Sequence, residues 1–152
     1  MKRIACLMVA ALILTFAPRA MAQGTSAGAP INVAVGGFPN DQGRLACALY
    51  NGPDGFPRDR NKAIQHSTGK ISQGRATCVF NNVPTGTYAI AFFHDAKMTG
   101  KMAKNMLGIP QEGYGFSNDA KPSAMSPPSF SDAAFQHDGN TPTRLKLILQ
   151  KF

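Results

Sequence analysis

The sequence predicts an all-β fold, an antiparallel β-sandwich carrying one long ordered loop, and three observations support this. Short segments alternate apolar and polar residues with the two-residue period of a half-buried strand. Gly 15 and Pro 11 punctuate those segments with turns. No stretch of helix length holds a 3.6-residue period. With 43% hydrophobic residues the chain can bury a core, which excludes disorder throughout.

Taken in order, the first element is an export signal. Lys2 and Arg3 precede an apolar run at 4–17, and Ala20-Met21-Ala22 is a small-x-small cleavage site, so cleavage is expected after Ala22. The run is shorter than the roughly 20 residues that span a bilayer, and nothing later is apolar enough to do so. Cys6 lies inside the run and leaves with it. A flexible lead-in at 23–30 then precedes a single domain at 31–152, placed in the periplasm or secreted.

Ile31, Val33 and Val35 alternate with polar or small residues up to Gly36-Gly37 and predict the first strand. Residues 39–43 read as a hairpin connection to a second strand at 44–50, with Leu45, Cys47 and Leu49 on one face and Ala46, Ala48 and Tyr50 on the other. Residues 51–61 are dense in turn formers, with Phe56 tucked inward, and a weak strand or a short turn is expected at 62–64. Ala76, Cys78 and Phe80 share a face of a strand at 75–80. Residues 87–94, apolar on both faces, form the central strand, and 144–151 the last, with Leu145, Leu147 and Leu149 inward. The anomaly is 95–142, without a clear strand, in a domain where loops beyond about 15 residues are uncommon and often functional. Phe116, Phe130 and Phe135 should anchor it to the sheet, and Gly108, Gly113 and Gly115 permit close turns.

Loss of the signal removes Lys2, Arg3 and Arg19 and leaves 13 basic residues against 8 acidic ones, a net charge of +5. Lys97, Lys101 and Lys104 form the densest group, without interleaved aromatics, so nucleic acid is not an expected partner. Such a loop either meets anionic head groups or wall polymer or is simply solvated. Cys47 and Cys78 sit at inward strand positions. An oxidising compartment favours a disulfide between them, the other reading being two buried thiols, and their isolation argues against zinc.

LACALYN at 45–51, VPTGTYAIAFFHD at 83–95, NMLGIPQEGYGFSNDA at 105–120 and PPSFSDAAF at 127–135 resemble DUF2141, a family of exported bacterial proteins of unknown function. The resemblance covers about 31–152 and implies an extracytoplasmic β-sandwich of Greek-key, transthyretin/Ig-like type with no assigned reaction. The P-x-G-x-Y turn at 84–88 is also similar to transthyretin-like and carboxypeptidase-regulatory-like sandwiches. Members of the family commonly read H-D-E-N-x-N-G-x-x-D-x-N where this chain has 94–105, a pattern similar to a calcium loop. Here Asp95 and Asn105 survive, while Lys97 and Ala103 replace an amide and a carboxylate. Calcium wants six to eight oxygens, so no metal is expected and Asp95 should instead cap a turn.

His94-Asp95 is the pairing that acid–base chemistry would use, yet strand neighbours point to opposite faces. A structural role is expected, with His94 bonded to loop backbone and locking 95–135 to the sheet. Glu112 and Tyr114 fall where the loop can approach His94, His66 and His137 fall in loops, and Ser117 lacks a G-x-S-x-G context. Tyr114 and Phe116, set between glycines, either form a ring platform for sugars or a partner's apolar patch, or pack on their own sheet. The ligand-contact candidates are His94, Asn105, Glu112, Tyr114, Phe116, Ser117 and Asn118. The expected function is a non-catalytic binding or structural module of the cell envelope, displaying 95–135 to an envelope glycan or envelope protein, without a cofactor. The alternative is a small periplasmic hydrolase using His94 as general base.

Overall fold

Alternating residues give each strand two faces, and how those faces are covered organises the molecule. The computed structural model describes residues 28–123 and 126–150. The expected export signal, Cys6, the start of the lead-in and Lys151 lie outside the described residues. Among the described residues eight strands form two sheets: β1 (Ile31–Gly36), β2 (Arg44–Tyr50), β3 (Gln65–Lys70), β4 (Arg75–Phe80), β5 (Gly86–Asp95), β6 (Tyr114–Phe116), β7 (Phe135–His137) and β8 (Thr143–Ile148). The smaller sheet has the order β4-β1-β8 and the larger β3-β2-β5-β6, with β7 also on β5. Every strand pair is antiparallel except β1 with β8, which is parallel. The all-β sandwich expected from the alternation is the observed architecture.

Between the sheets lies the main core. Leu45, Cys47 and Leu49 of β2 and Tyr88, Ile90 and Phe92 of β5 meet Val33 and Val35 of β1 and Cys78 and Phe80 of β4. A disulfide joins Cys47 to Cys78, and so one sheet to the other, across a Cα–Cα distance of 6.6 Å. Closing a loop of 31 residues' separation removes unfolded-state entropy worth about 3.5 kcal/mol in the chain-entropy account.

Local details depart from the sequence expectation in four places. Residues 39–43 do not close a hairpin: β1 pairs with β4 and β8, and β2 with β3 and β5, so the turn is a corner between sheets. Turn-forming residues specify a reversal of the chain, but they do not dictate which strands then pair. Of the two readings at 62–64 the short turn is the one that forms, two residues earlier as a 3-10 turn at Arg60–Lys62 capped by Asp59, and the strand comes later, at β3. Residues 28–30 of the lead-in are held, since the Ala29 N–H donates to the Gly139 carbonyl at 2.8 Å and Ala29 is buried. Finally, 95–142 contains β6 and β7.

Those two short strands share one edge of β5. Residues 91–93 pair with β6 and 86–88 with β7. Between them the Ile90 N–H has no strand opposite it, and the buried Ser117 hydroxyl accepts it at 2.9 Å while donating to the Ala133 carbonyl. A side chain thus completes the ladder where the backbone leaves it. Phe116 is buried, and Phe130 and Phe135 are half-buried against the two cores, as the anchor reading expects.

Candidate functional site

The outer face of the larger sheet is built of small residues. Ala46 and Ala48 of β2 lie beside Ala89 and Ala91 of β5 and leave a trough, which rings from distant loops partly fill. Phe93, Tyr114 and Phe116 supply the floor. Phe56 meets Tyr50, Phe116 and Phe130 edge to face at 5.2, 6.0 and 5.9 Å between centroids. Such edge contacts favour ring clustering beyond area burial alone.

The part left open is a groove of about 1140 Å³, walled by 57–61 on one side and 100–110 on the other. Arg58, Arg60, Lys101 and Lys104 line it, against a single carboxylate, Asp59. None of those four cations lies within ion-pair distance of a carboxylate among the described residues. The Arg60 guanidinium lies over the Phe93 ring, 5.4 Å from its centroid, and its Nη2 is 3.2 Å from His66 Nδ1. Burial, and then the Arg60 charge, hold the His66 ring below the usual histidine range. A neutral ring accepts from Arg60, which fixes the guanidinium in place. The Arg60 pKa is itself pushed down by burial, and burial raises that of the Tyr50 hydroxyl.

Two carboxylates hold the wall at 96–112. Asp95 and Arg44 are cross-strand partners, and Arg44 Nε donates to Asp95 Oδ2 at 2.9 Å. The same carboxylate accepts the Thr99 and Gly100 N–H groups, both at 2.8 Å. Burial raises the Asp95 pKa, but the bonds from Gly100, Arg44 and Thr99 outweigh it and hold the carboxyl below the usual range. Glu112 accepts from Ala96 N–H at 3.2 Å and Ala103 N–H at 3.1 Å, clamping both ends of the segment. Asn105 Oδ1 accepts the Leu107 and Ile109 N–H groups, each at 2.9 Å. The oxygens that a calcium loop would aim inward are turned to backbone and to Arg44, so these residues do not fit calcium.

His94 sits on the opposite face from Asp95, as the strand period requires. Its Nε2 is 2.8 Å from the Gln42 carbonyl, and its ring meets Phe38 edge to face at 5.3 Å. The ring therefore ties β5 to the corner at 39–43, which corrects the anchoring role expected of the side chain, while the His94 backbone N–H donates to the Gly113 carbonyl at 2.8 Å and so holds the 95–135 segment. Glu112 and His94 do line one depression, of about 540 Å³, but Tyr114 is on the other face of the sheet. Tyr114 and Phe116, 7% and 6% exposed, pack on their own sheet, so the exposed-platform reading gives way to the floor of a groove. Ser117 is spent on the ladder, and Asn118, at φ 57°, donates to the Ala134 carbonyl at 2.6 Å.

Sequence reasoning did not single out Arg60 and placed His66 and His137 in loops, whereas His66 lies in β3 and His137 ends β7. Arg60 and His66 meet only because the 51–64 loop folds across β2, and no spacing motif announces it. His137, which no sequence pattern places, is 2% exposed: its Nε2 faces the Ala29 and Val83 carbonyls at 3.1 and 3.0 Å and Nδ1 faces the Thr143 hydroxyl at 2.7 Å. It fastens the chain's entry, the β4–β5 turn and β8 together.

Among the described residues no cluster of three or more His, Cys, Asp or Glu is positioned for a metal, and no helix is long and apolar enough to cross a membrane. No curated protein and no solved structure matches the chain. The profile of a family described as "Uncharacterized protein conserved in bacteria (DUF2141)" matches residues 33–145, most of the 152. On that match, which spans both sheets and the groove, the chain belongs to the DUF2141 family of bacterial proteins.

Proposed function

We propose that this protein is a non-catalytic binding module of the bacterial cell envelope, whose outer groove takes an acidic envelope glycan fragment. The observation that carries the reading is the lining: four cations without carboxylate partners stand around a floor of Phe93, Tyr114 and Phe116. Cations select carboxylate or phosphate groups, and the volume suits an extended ligand over a single small molecule. The export signal read at 1–22 and the Cys47–Cys78 disulfide support placement in an oxidising compartment, periplasmic or secreted. The hydrolase reading draws no support from His94, whose Nε2 is taken up by the Gln42 carbonyl.

Calorimetric titration with soluble cell-wall disaccharide fragments tests this. Carboxylate-bearing fragments should bind and their neutral reduced analogues should bind at least about tenfold more weakly, as expected for charge-assisted contacts. Equal binding of both, or none of either at millimolar concentration, would sink the reading. Loss of binding in Lys104→Ala with unchanged thermal unfolding would place the contact in the groove.

A further inference from the structure

The segment that walls the groove also carries, at its far end, an uncovered apolar turn, of which Leu107, Gly108 and Ile109 also line the groove while Met106 does not. Residues 105–109 close a tight turn. Besides the two N–H groups held by Asn105 Oδ1, the Gly108 N–H donates to the Asn105 carbonyl at 3.0 Å and the Asn105 N–H to the Ile109 carbonyl at 2.9 Å. All backbone N–H groups from Asn105 to Ile109 except that of Met106 are thus satisfied within the turn. The side chains it presents are apolar and uncovered: Met106 is 104% exposed, Leu107 83% and Ile109 43%, with Met98, 61% exposed, earlier in the segment. Lys97, Lys101 and Lys104 are interleaved with them, and 96–111 contains no carboxylate. Glu112, next in the chain, has both oxygens on backbone N–H groups.

We infer that this turn attaches the protein peripherally to an anionic lipid surface. Met106 and Leu107 enter the boundary between head groups and acyl chains, and the three lysines pair with head-group phosphates. Two physical reasons select a bilayer. A turn with four of its five N–H groups bonded internally loses less on leaving water than a loop with open backbone groups would. The exposed apolar side chains are only four, Met98, Met106, Leu107 and Ile109, against the roughly 20–30 residues a side of a stable protein interface, whereas lipid closes around an exposed tip such as Met106. Apolar insertion with adjacent basic charge is the two-signal arrangement that reversible attachment requires. Lys101 and Lys104 also line the groove, whereas Met98, Met106 and Lys97 do not, so the apolar tip carries the inference independently of what the groove binds.

Co-sedimentation with vesicles tests it, using the chain exported and processed by its host, with the N-terminus checked by mass spectrometry. Vesicles of phosphatidylglycerol in phosphatidylcholine should bind the protein and pure phosphatidylcholine should not, with binding falling as salt rises, because exposed charges are screened. Met106→Asp with Leu107→Asp should weaken binding at least about tenfold at unchanged near-ultraviolet circular dichroism, since both side chains are exposed. Replacing Lys97, Lys101 and Lys104 by Gln should remove roughly fivefold per lysine. Every variant carries the same N-terminus, so differences among them do not report the leader, and Met106→Asp with Leu107→Asp, which leaves all four groove cations in place, separates the turn from the groove. Absence of binding at low salt, full binding by the double Asp variant, or displacement by soluble glycerophosphate each overturns the inference. So does a dimer in native mass spectrometry that the double Asp variant abolishes.

Discussion

On its inner face the larger sheet offers Leu45, Cys47, Leu49, Tyr88, Ile90 and Phe92 to another sheet; on its outer face the same two strands offer Ala46, Ala48, Tyr50, Ala89, Ala91 and Phe93 to loops. Large aliphatic and aromatic residues inside interlock with regular partners and are stapled by a disulfide. Small residues outside leave volume that four separate segments share, and they fill it incompletely. The difference separates two tasks: the inner face supplies cohesion, and the outer face, by being under-filled, supplies a groove.

Breaking the staple should produce the largest effect and confine it to the inner face. Cys47→Ala with Cys78→Ala should lose about 3.5 kcal/mol in urea unfolding while leaving groove affinity unchanged at a temperature where the variant is folded. A parallel loss of affinity would show that the two faces are not separable. Next comes the corner where β5 meets the groove wall. Asp95→Ala strips acceptors from Thr99, Gly100 and Arg44 at a site with a fully buried side chain, and should lose about 2–3 kcal/mol.

The same residue sets a pH dependence. Its folded pKa lies below the unfolded value, so its contribution is complete above about pH 4 and is lost as pH falls through the lowered native value. Acid unfolding of Asp95→Asn should be flatter than that of the wild type across that window. Asp138 titrates there too, held to about 2 by the Thr141 N–H and hydroxyl and the Asn140 N–H, and is common to both proteins.

His94→Ala sharpens the comparison from the inner face. It gives up one bond to Gln42 and an edge contact with Phe38, so thermal unfolding should report a loss of about 1–1.5 kcal/mol. A variant as stable as the wild type would reopen a chemical role for the ring. The smallest effect on stability and the clearest on binding belongs to Arg60→Ala on the outer face. Losing its position over Phe93 should remove no more than about 1 kcal/mol, yet weaken carboxylate-bearing wall fragments about tenfold in calorimetric titration. Because the His66 pKa is lowered, its ring gains charge only as pH falls below the ordinary histidine range. Acidic ligands should therefore bind more tightly on acidification, and His66→Gln should remove that slope.

How far the sequence could be read depends on the residue. Leu45, Cys47 and Leu49 announce their face by alternation alone, and Phe56, Phe116 and Phe130 announce burial by being large and apolar within polar loops. Asp95 was legible as a turn cap because a carboxylate ahead of Thr99-Gly100 has backbone N–H groups within reach. Gln65-His66-Ser67-Thr68-Gly69-Lys70 was not legible as a strand, because β3 is a polar edge strand without apolar alternation of its own. β6 and β7 escaped notice for a related reason: three-residue strands carry too short an alternation to register, and only β5 makes them strands. Nothing near His137 in sequence identifies the Ala29, Val83 and Thr143 groups that surround it.

By itself the sequence determined which residues form the inner faces of the longer strands, where the cysteines point and which carboxylate closes the 95–100 turn. These follow from short-range covalent geometry, in which side chains alternate and a turn reaches only its neighbours. Tertiary structure alone decided that 39–43 is a corner, that two fragments share the β5 edge, and that Arg60, His66 and Phe93 meet beside a basic wall. Those outcomes depend on chain segments far apart in sequence competing to cover the same alanine-lined surface, and an alanine pattern does not say which of them arrives.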